Sequence, residues 1–126
     1  MRLLWTLLAC VVMAQSAMAQ GNSDKTVSLS VSGGTISVNP DPAKVTKNQN
    51  KIVWTLTTAG YTFASNGIVI AGAGTEYGDC GKQGNSTTVY TCKKLKHVDG
   101  KRYKYDINLL NASGQAVKLD PFIVND

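Results

Sequence analysis

The stretch Lys101–Leu109, KRYKYDINL, decides the fold class. Tyr103, Tyr105, Ile107 and Leu109 fall at every second position, with Lys104, Asp106 and Asn108 between them. A period of two belongs to a β-strand with one buried and one wet face, whereas a helix needs apolar residues three and four apart. The same period recurs upstream. Val27, Leu29 and Val31 alternate with serines, and Ile36 and Val38 resume the pattern after Gly33-Gly34. In Lys51–Thr57, KIVWTLT, one face takes Ile52, Trp54 and Leu56, and the other takes Val53, Thr55 and Thr57. Thr87–Cys92 predicts a further strand. Gln115–Val124 predicts the last, with Pro121 at a position that only an edge strand or a bulge tolerates.

Turn residues separate these runs. Asn39-Pro40-Asp41-Pro42 breaks the first half, because proline cannot donate to a ladder and restrains the residue before it. Asn66-Gly67 predicts a tight turn ahead of Ile68–Ile70, and the glycine-dense segment 67–84 reads mostly as loop. Asn111–Gly114 has the composition of a hairpin turn. No window carries the period of an amphipathic helix. About seven short strands with turn signals between them predict an all-β, antiparallel Greek-key β-sandwich.

A chain of 126 residues accommodates one domain, and 43% hydrophobic with 17% charged residues excludes a disordered polymer. The N-terminus reads as a secretory signal peptide. Arg2 precedes an uncharged run from Leu3 to Ala14, and small residues at Ala17 and Ala19 place cleavage after Ala19. Residues 1–19 would then be the signal and 20–126 a single β-sandwich domain. A rival reading acylates Cys10 as a lipoprotein, leaving only nine residues ahead of it. The expected address is the periplasm or the extracellular medium, with no transmembrane segment in the processed chain, since a span takes about 20 apolar residues. In that oxidising setting Cys80 and Cys92 are expected to form one disulfide. By the chain-entropy model, closing the loop between them is worth about 3 kcal/mol.

The stretches NPDPAKVTKNQNKIVWTL (39–56) and GKRYKYDI (100–107) together resemble the cupredoxin-like β-sandwich. There a proline-containing segment and a polar turn precede a strand bearing tryptophan, and a Tyr-x-Tyr strand leads towards the metal loop. The resemblance spans roughly residues 36–70 and 100–124. Its copper ligands do not carry over. The place of a first histidine falls near Tyr61–Phe63, the cysteine place falls on Ile107, and no methionine follows Met18. The resemblance therefore implies the fold without copper, and the same strand pattern also suits an immunoglobulin-like sandwich.

Candidate chemistry is sparse. His97, the one histidine, reads as a solvent-exposed loop residue; as a metal ligand it would need Asp79, Asp99 or a reduced Cys80 or Cys92 beside it. The spacing of the cysteines is unlike a redox pair, which sits two residues apart. Glu76, Asp79, Asp99 and Asp106 lack the spacing of a calcium loop, and no G-x-S-x-G marks a nucleophile. Trp54 and Tyr105 share faces with Ile and Leu and read as core. Charge is the most uneven property: Lys93, Lys94, Lys96, Lys101, Arg102 and Lys104 crowd one short segment of a chain with net charge +5. Such a cluster either solubilises an edge or attracts anionic polymer.

The sequence thus predicts an exported, non-catalytic binding or interaction module with no cofactor and no metal. Its expected surface is the Cys80–Cys92 loop with the basic segment 93–104, and its expected partner an anionic envelope polymer or another envelope protein. Nucleic acid is set aside for an exported chain. The alternative is a periplasmic, cupredoxin-related metal-handling protein that uses His97 and a free thiol.

Overall fold

The computed structural model describes residues 24–126; the expected signal peptide, its cleavage point and the Cys10 alternative lie outside the described residues. Alternating burial builds ten strands: β1 (Lys25–Ser32), β2 (Thr35–Asn39), β3 (Ala43–Val45), β4 (Lys51–Leu56), β5 (Thr62–Ile70), β6 (Tyr77–Lys82), β7 (Val89–Lys94), β8 (Arg102–Leu110), β9 (Ala116–Leu119) and β10 (Phe122–Asn125). They form two packed sheets, ordered β2-β1-β4-β7-β6 and β3-β10-β8-β5, with β9 beside β8. The fold is the expected β-sandwich with one disulfide, Cys80–Cys92.

Two expectations are corrected. There are ten strands rather than about seven. The glycine-dense stretch contains β6, Ala43–Val45 forms a short edge strand, and Pro121 splits the final strand into β9 and β10. Nor are the sheets wholly antiparallel: β1 runs parallel to β4, and β3 parallel to β10. The reason is the crossover. β2 lies in one sheet and β3 in the other, so the chain changes sheets between Asn39 and Ala43 and returns to β4 in the direction of β1. The prolines at 40 and 42 suit that passage, since neither can donate to a ladder.

The alternating residues meet between the sheets. Val27 and Leu29 from β1, Ile52 and Trp54 from β4, and Tyr105, Ile107 and Leu109 from β8 are completely buried. Trp54 Nε1 donates to the Tyr105 hydroxyl at 3.1 Å, and the two rings pack 5.4 Å apart. This pairing lets an indole N–H and a phenol sit in an apolar interior without an unsatisfied donor.

Asn66-Gly67 is not a turn; it lies inside β5, where the register against β8 shifts between Phe63 and Ile68. The bulge is held by side chains. The Tyr90 hydroxyl donates to Ser65 O at 3.0 Å, and Asn108 Nδ2 donates to Asn66 O at 2.8 Å. Asn108 is accordingly buried, although its position on β8 places it on the expected wet face. Phe63 and Tyr90 stack 5.2 Å apart directly over Gly67, where a Cβ would come within 2.8 Å of both rings. Glycine is required there by space.

The disulfide joins neighbouring strands. The β6–β7 register shifts between Gly78 and Gly81, so Asp79 and Cys80 form a bulge opposite Cys92, with Asp79 at φ 50°. The loop expected to be clamped is thus itself part of the sheet.

Candidate functional site

β4 and β7 define two poles. At one pole β4 begins at Lys51 and β7 ends at Lys94, and here the basic segment lies. The fold does not gather its six cations into one open patch. Lys93 faces Asp79 at 3.8 Å, Lys101 faces Glu76 at 3.5 Å, and Lys104 faces Asp120 at 3.6 Å. Arg102 stacks on Phe122, 4.0 Å from the ring centroid. Lys93 belongs to β7 in one sheet, whereas Arg102 and Lys104 belong to β8 in the other. Lys96 is exposed on the connecting loop.

Lys94 is spent internally. Its ammonium donates to Thr46 O at 2.7 Å and to Lys47 O at 3.3 Å, and it lies 2.9 Å from His97 Nδ1. Three donors meet three acceptors. Desolvation pulls its pKa below the ordinary lysine value, partly offset by the charge of Asp99. His97 is corrected: its side chain is only 8% exposed, wedged between Lys94 and Asp99. With Nδ1 accepting from Lys94, Nε2 carries the proton and donates to Asp99 Oδ1 at 3.0 Å, with Asp126 O at 3.2 Å. Lys94 and His97 therefore pin the 46–47 and 94–99 loops together. Both cysteine sulfurs are bonded to each other, which leaves His97 no thiolate partner. Among the described residues no three His, Cys, Asp or Glu side chains cluster as a metal site would require.

The remaining acidic candidates are scattered. Glu76, Asp79 and Asp99 serve the ion pairs above. Asp106 sits on the outer face beside Asp120, and its pKa is raised by the hydrogen bond between the two carboxyls, then by desolvation and by the charge of Asp120.

The opposite pole holds a concavity of about 310 Å³. It is lined by Leu56, by the β4–β5 connection Thr57–Tyr61 with Thr62, and by Thr87 and Thr88 ahead of β7. The lining is tied to the sheets. Thr57 Oγ1 donates to Leu29 O at 3.1 Å, Thr58 Oγ1 accepts from Val31 N at 2.9 Å, and Phe63 N donates to Thr87 O at 2.9 Å. Five threonines and Tyr61 line this space, and the lining includes no lysine, arginine, aspartate or glutamate. A comparison with protein-family models finds no match, and neither does one with curated proteins.

Of the places where the resemblance would seat copper ligands, Tyr61 lines this cleft. Phe63 and Ile107 are buried in the core and offer no ligating atom. The cleft itself is not legible along the chain. Its signal is the paired threonines 57–58 and 87–88, which in sequence look like the ordinary ends of two strands. Among the described residues no helix is long and apolar enough to cross a membrane.

Proposed function

We propose that the protein is an exported, non-catalytic β-sandwich module that holds a neutral, hydroxyl-rich ligand, a saccharide end being the chemical type, in the threonine cleft. The observation that carries this reading is the lining, which includes five threonines and Tyr61 and no charged residue, around about 310 Å³. That volume stands at the small end of ligand pockets, which run from about 300 Å³ upward. Hydroxyls suit such a ligand because each offers one donor and two acceptors. Thr57 spends its proton on the backbone and keeps acceptor capacity, while Thr58 accepts from the backbone and keeps its proton. Tyr61, half-buried and packed against the core, contributes an aromatic residue to the lining.

Export is supported by the disulfide, a feature of oxidising compartments, together with the signal-like N-terminus. The bonded cysteines weigh against the metal-handling alternative.

The test is an amide-shift titration with neutral glucan and galactan oligosaccharides in parallel with uronate-rich ones. Neutral sugars are expected to move Gly60, Tyr61 and Thr88, and the Thr62→Ala/Thr87→Ala double variant to lose that response while staying folded. Shifts confined to Lys96, Lys101 and Arg102, given by uronates alone, would reject the cleft and assign binding to the basic segment.

A further inference from the structure

The two sheets differ in what they turn outward. The outward positions of β1 and β2 are all serine, threonine or asparagine, and those of β4 add Val53 and Thr55. Lys51, at the start of β4, is the one charge on the outward positions of these three strands. The other sheet turns out Lys44, Lys104, Asp106 and Lys118. A chain with 13 basic and 8 acidic residues thus keeps one face of hydroxyls nearly free of charge.

Register lines these hydroxyls up. Ser37 of β2 lies opposite Ser30 of β1. Leu29 lies beside Leu56 in the parallel pair, and Thr57 N donates to Leu29 O at 2.8 Å, so Thr57 continues the row next to Ser30. Thr55 lies opposite Val89, and Leu56 N donates to Thr88 O at 2.8 Å, which brings Thr87 level with Thr57. The row Ser37, Ser30, Thr57, Thr87 therefore runs across the sheet from the β2 edge into the threonine cleft, whose lining includes its last two members. All four residues are exposed, and the hydroxyls of Ser37, Ser30 and Thr87 meet no protein partner among the described residues. The step along such a row is the strand spacing, about 4.8 Å.

We infer that the cleft and this row form one binding path whose occupant is a linear neutral polysaccharide, with its end in the cleft and the following sugars lying across β4, β1 and β2. The inference rests on the cleft reading above and extends it from a saccharide end to a polymer. Spacing and chemistry select the occupant. The strand spacing is close to the rise of one hexose in an extended glycan, so successive sugars meet successive hydroxyls. A hydroxyl-rich chain offers every serine and threonine of the row both donors and acceptors. A protein partner needs an apolar, aromatic centre to its interface, and the row has none. Apolar surface, lipid included, would strip water from these hydroxyls without replacing their hydrogen bonds. A charged polymer finds no opposite charge in the row.

Amide-shift titrations with cellobiose and cellohexaose, and with the corresponding pair of β-linked galactan oligosaccharides, test the path. The disaccharide of the recognised series is expected to move Gly60, Tyr61 and Thr88 alone. Its hexasaccharide is expected to move Ser30 and Ser37 as well and to bind at least about tenfold more tightly. Ser30→Glu, at an exposed position in the middle of the row, is expected to remove that gain while disaccharide binding and the unfolding midpoint stay unchanged. Thr26→Glu, on the same face of β1 but two rows away, is expected to keep the gain. A hexasaccharide that binds no better than its disaccharide and leaves Ser30 and Ser37 unmoved overturns the inference while the cleft reading stands. No response to any of these sugars overturns both. Shifts at Ser30 and Ser37 that follow protein concentration in the absence of sugar would give the face to a second copy of the chain and overturn the inference as well.

Discussion

Replacing Gly67 with alanine tests the close approach that holds the β5 bulge against the core. The added methyl would lie 2.8 Å from Phe63 Cδ1, 2.8 Å from Tyr90 Cε2 and 2.9 Å from Tyr90 Cδ2, separations that no packed carbon tolerates. Both rings are buried and packed on each other, so neither swings aside freely. Overpacking of this kind costs about 1–3 kcal/mol. Moving Tyr90 also strains its hydrogen bond to Ser65 O, worth about 1 kcal/mol. Against these, alanine reduces the entropy of the unfolded chain and returns about 0.4–1 kcal/mol. The net expectation is a loss of about 2 kcal/mol, which lowers the urea midpoint by about 1 M for a domain of this size. Gly81→Ala is the matched control. Gly81 also lies within a strand, and a Cβ there meets nothing within 4 Å. It should leave the midpoint unchanged or raise it slightly. A Gly67→Ala protein as stable as the parent, or indistinguishable from Gly81→Ala, would refute the steric reasoning.

Tyrosine-to-phenylalanine changes should have opposite signs at two buried positions. Tyr105→Phe leaves Trp54 Nε1 without its partner and should cost about 1–3 kcal/mol, whereas the Tyr103 hydroxyl is buried with no partner, so Tyr103→Phe should be neutral or stabilising; equal losses in denaturant melts would contradict this. Alkali should unfold the protein. Burial raises the pKa of Tyr77, aided by Glu76, and burial raises that of Tyr105 against the lowering effect of the Trp54 hydrogen bond. The unfolded chain ionises these phenols from about pH 10 while the folded chain keeps them protonated, so their contribution is intact below that pH and is lost above it. Lys94 acts in the opposite sense, its depressed pKa adding stability as pH rises towards the lysine range, but it is one group against two. Tyr77→Phe should accordingly flatten the fall in stability between about pH 9 and about pH 11, and an unchanged slope would count against the assignment. Removing the disulfide as Cys80→Ala/Cys92→Ala should lower stability by about 3 kcal/mol in urea melts, and a loss below about 1 kcal/mol would show that the loop is already restrained by the β6–β7 pairing.

The core was legible because it depends on local alternation alone. Val27, Leu29, Ile52, Trp54, Tyr105, Ile107 and Leu109 are named by a period of two in the sequence, and all are fully buried in the fold. Cys80–Cys92 was legible once Cys10 was read as part of the signal peptide. What failed were readings that depend on a neighbour distant in the chain. Asn66-Gly67 carries the composition of a turn, yet Tyr90 and Asn108 supply the hydrogen bonds that keep it within a strand. His97 looks exposed among lysines, yet Lys94 and Asp99 enclose it. The basic segment stays a surface feature, with Lys93 on one sheet, Arg102 and Lys104 on the other, and carboxylates from Asp79, Glu76 and Asp120 beside three of its members.

By itself the sequence determined that the chain is all-β, which faces are apolar, and, with Cys10 read as part of the signal, where one covalent cross-link forms, because side-chain direction along a strand and the pairing of the two remaining cysteines need no knowledge of the rest of the molecule. Only the tertiary structure decided strand order, the two parallel pairs, and which surfaces stay open. Pairing direction follows from the crossover between β2 and β3, and the cleft exists because residues 57–62 and 87–88, far apart in the chain, end at the same pole. Free edges and concave surfaces are properties of what lies beside a strand, and a one-dimensional pattern does not record its neighbours.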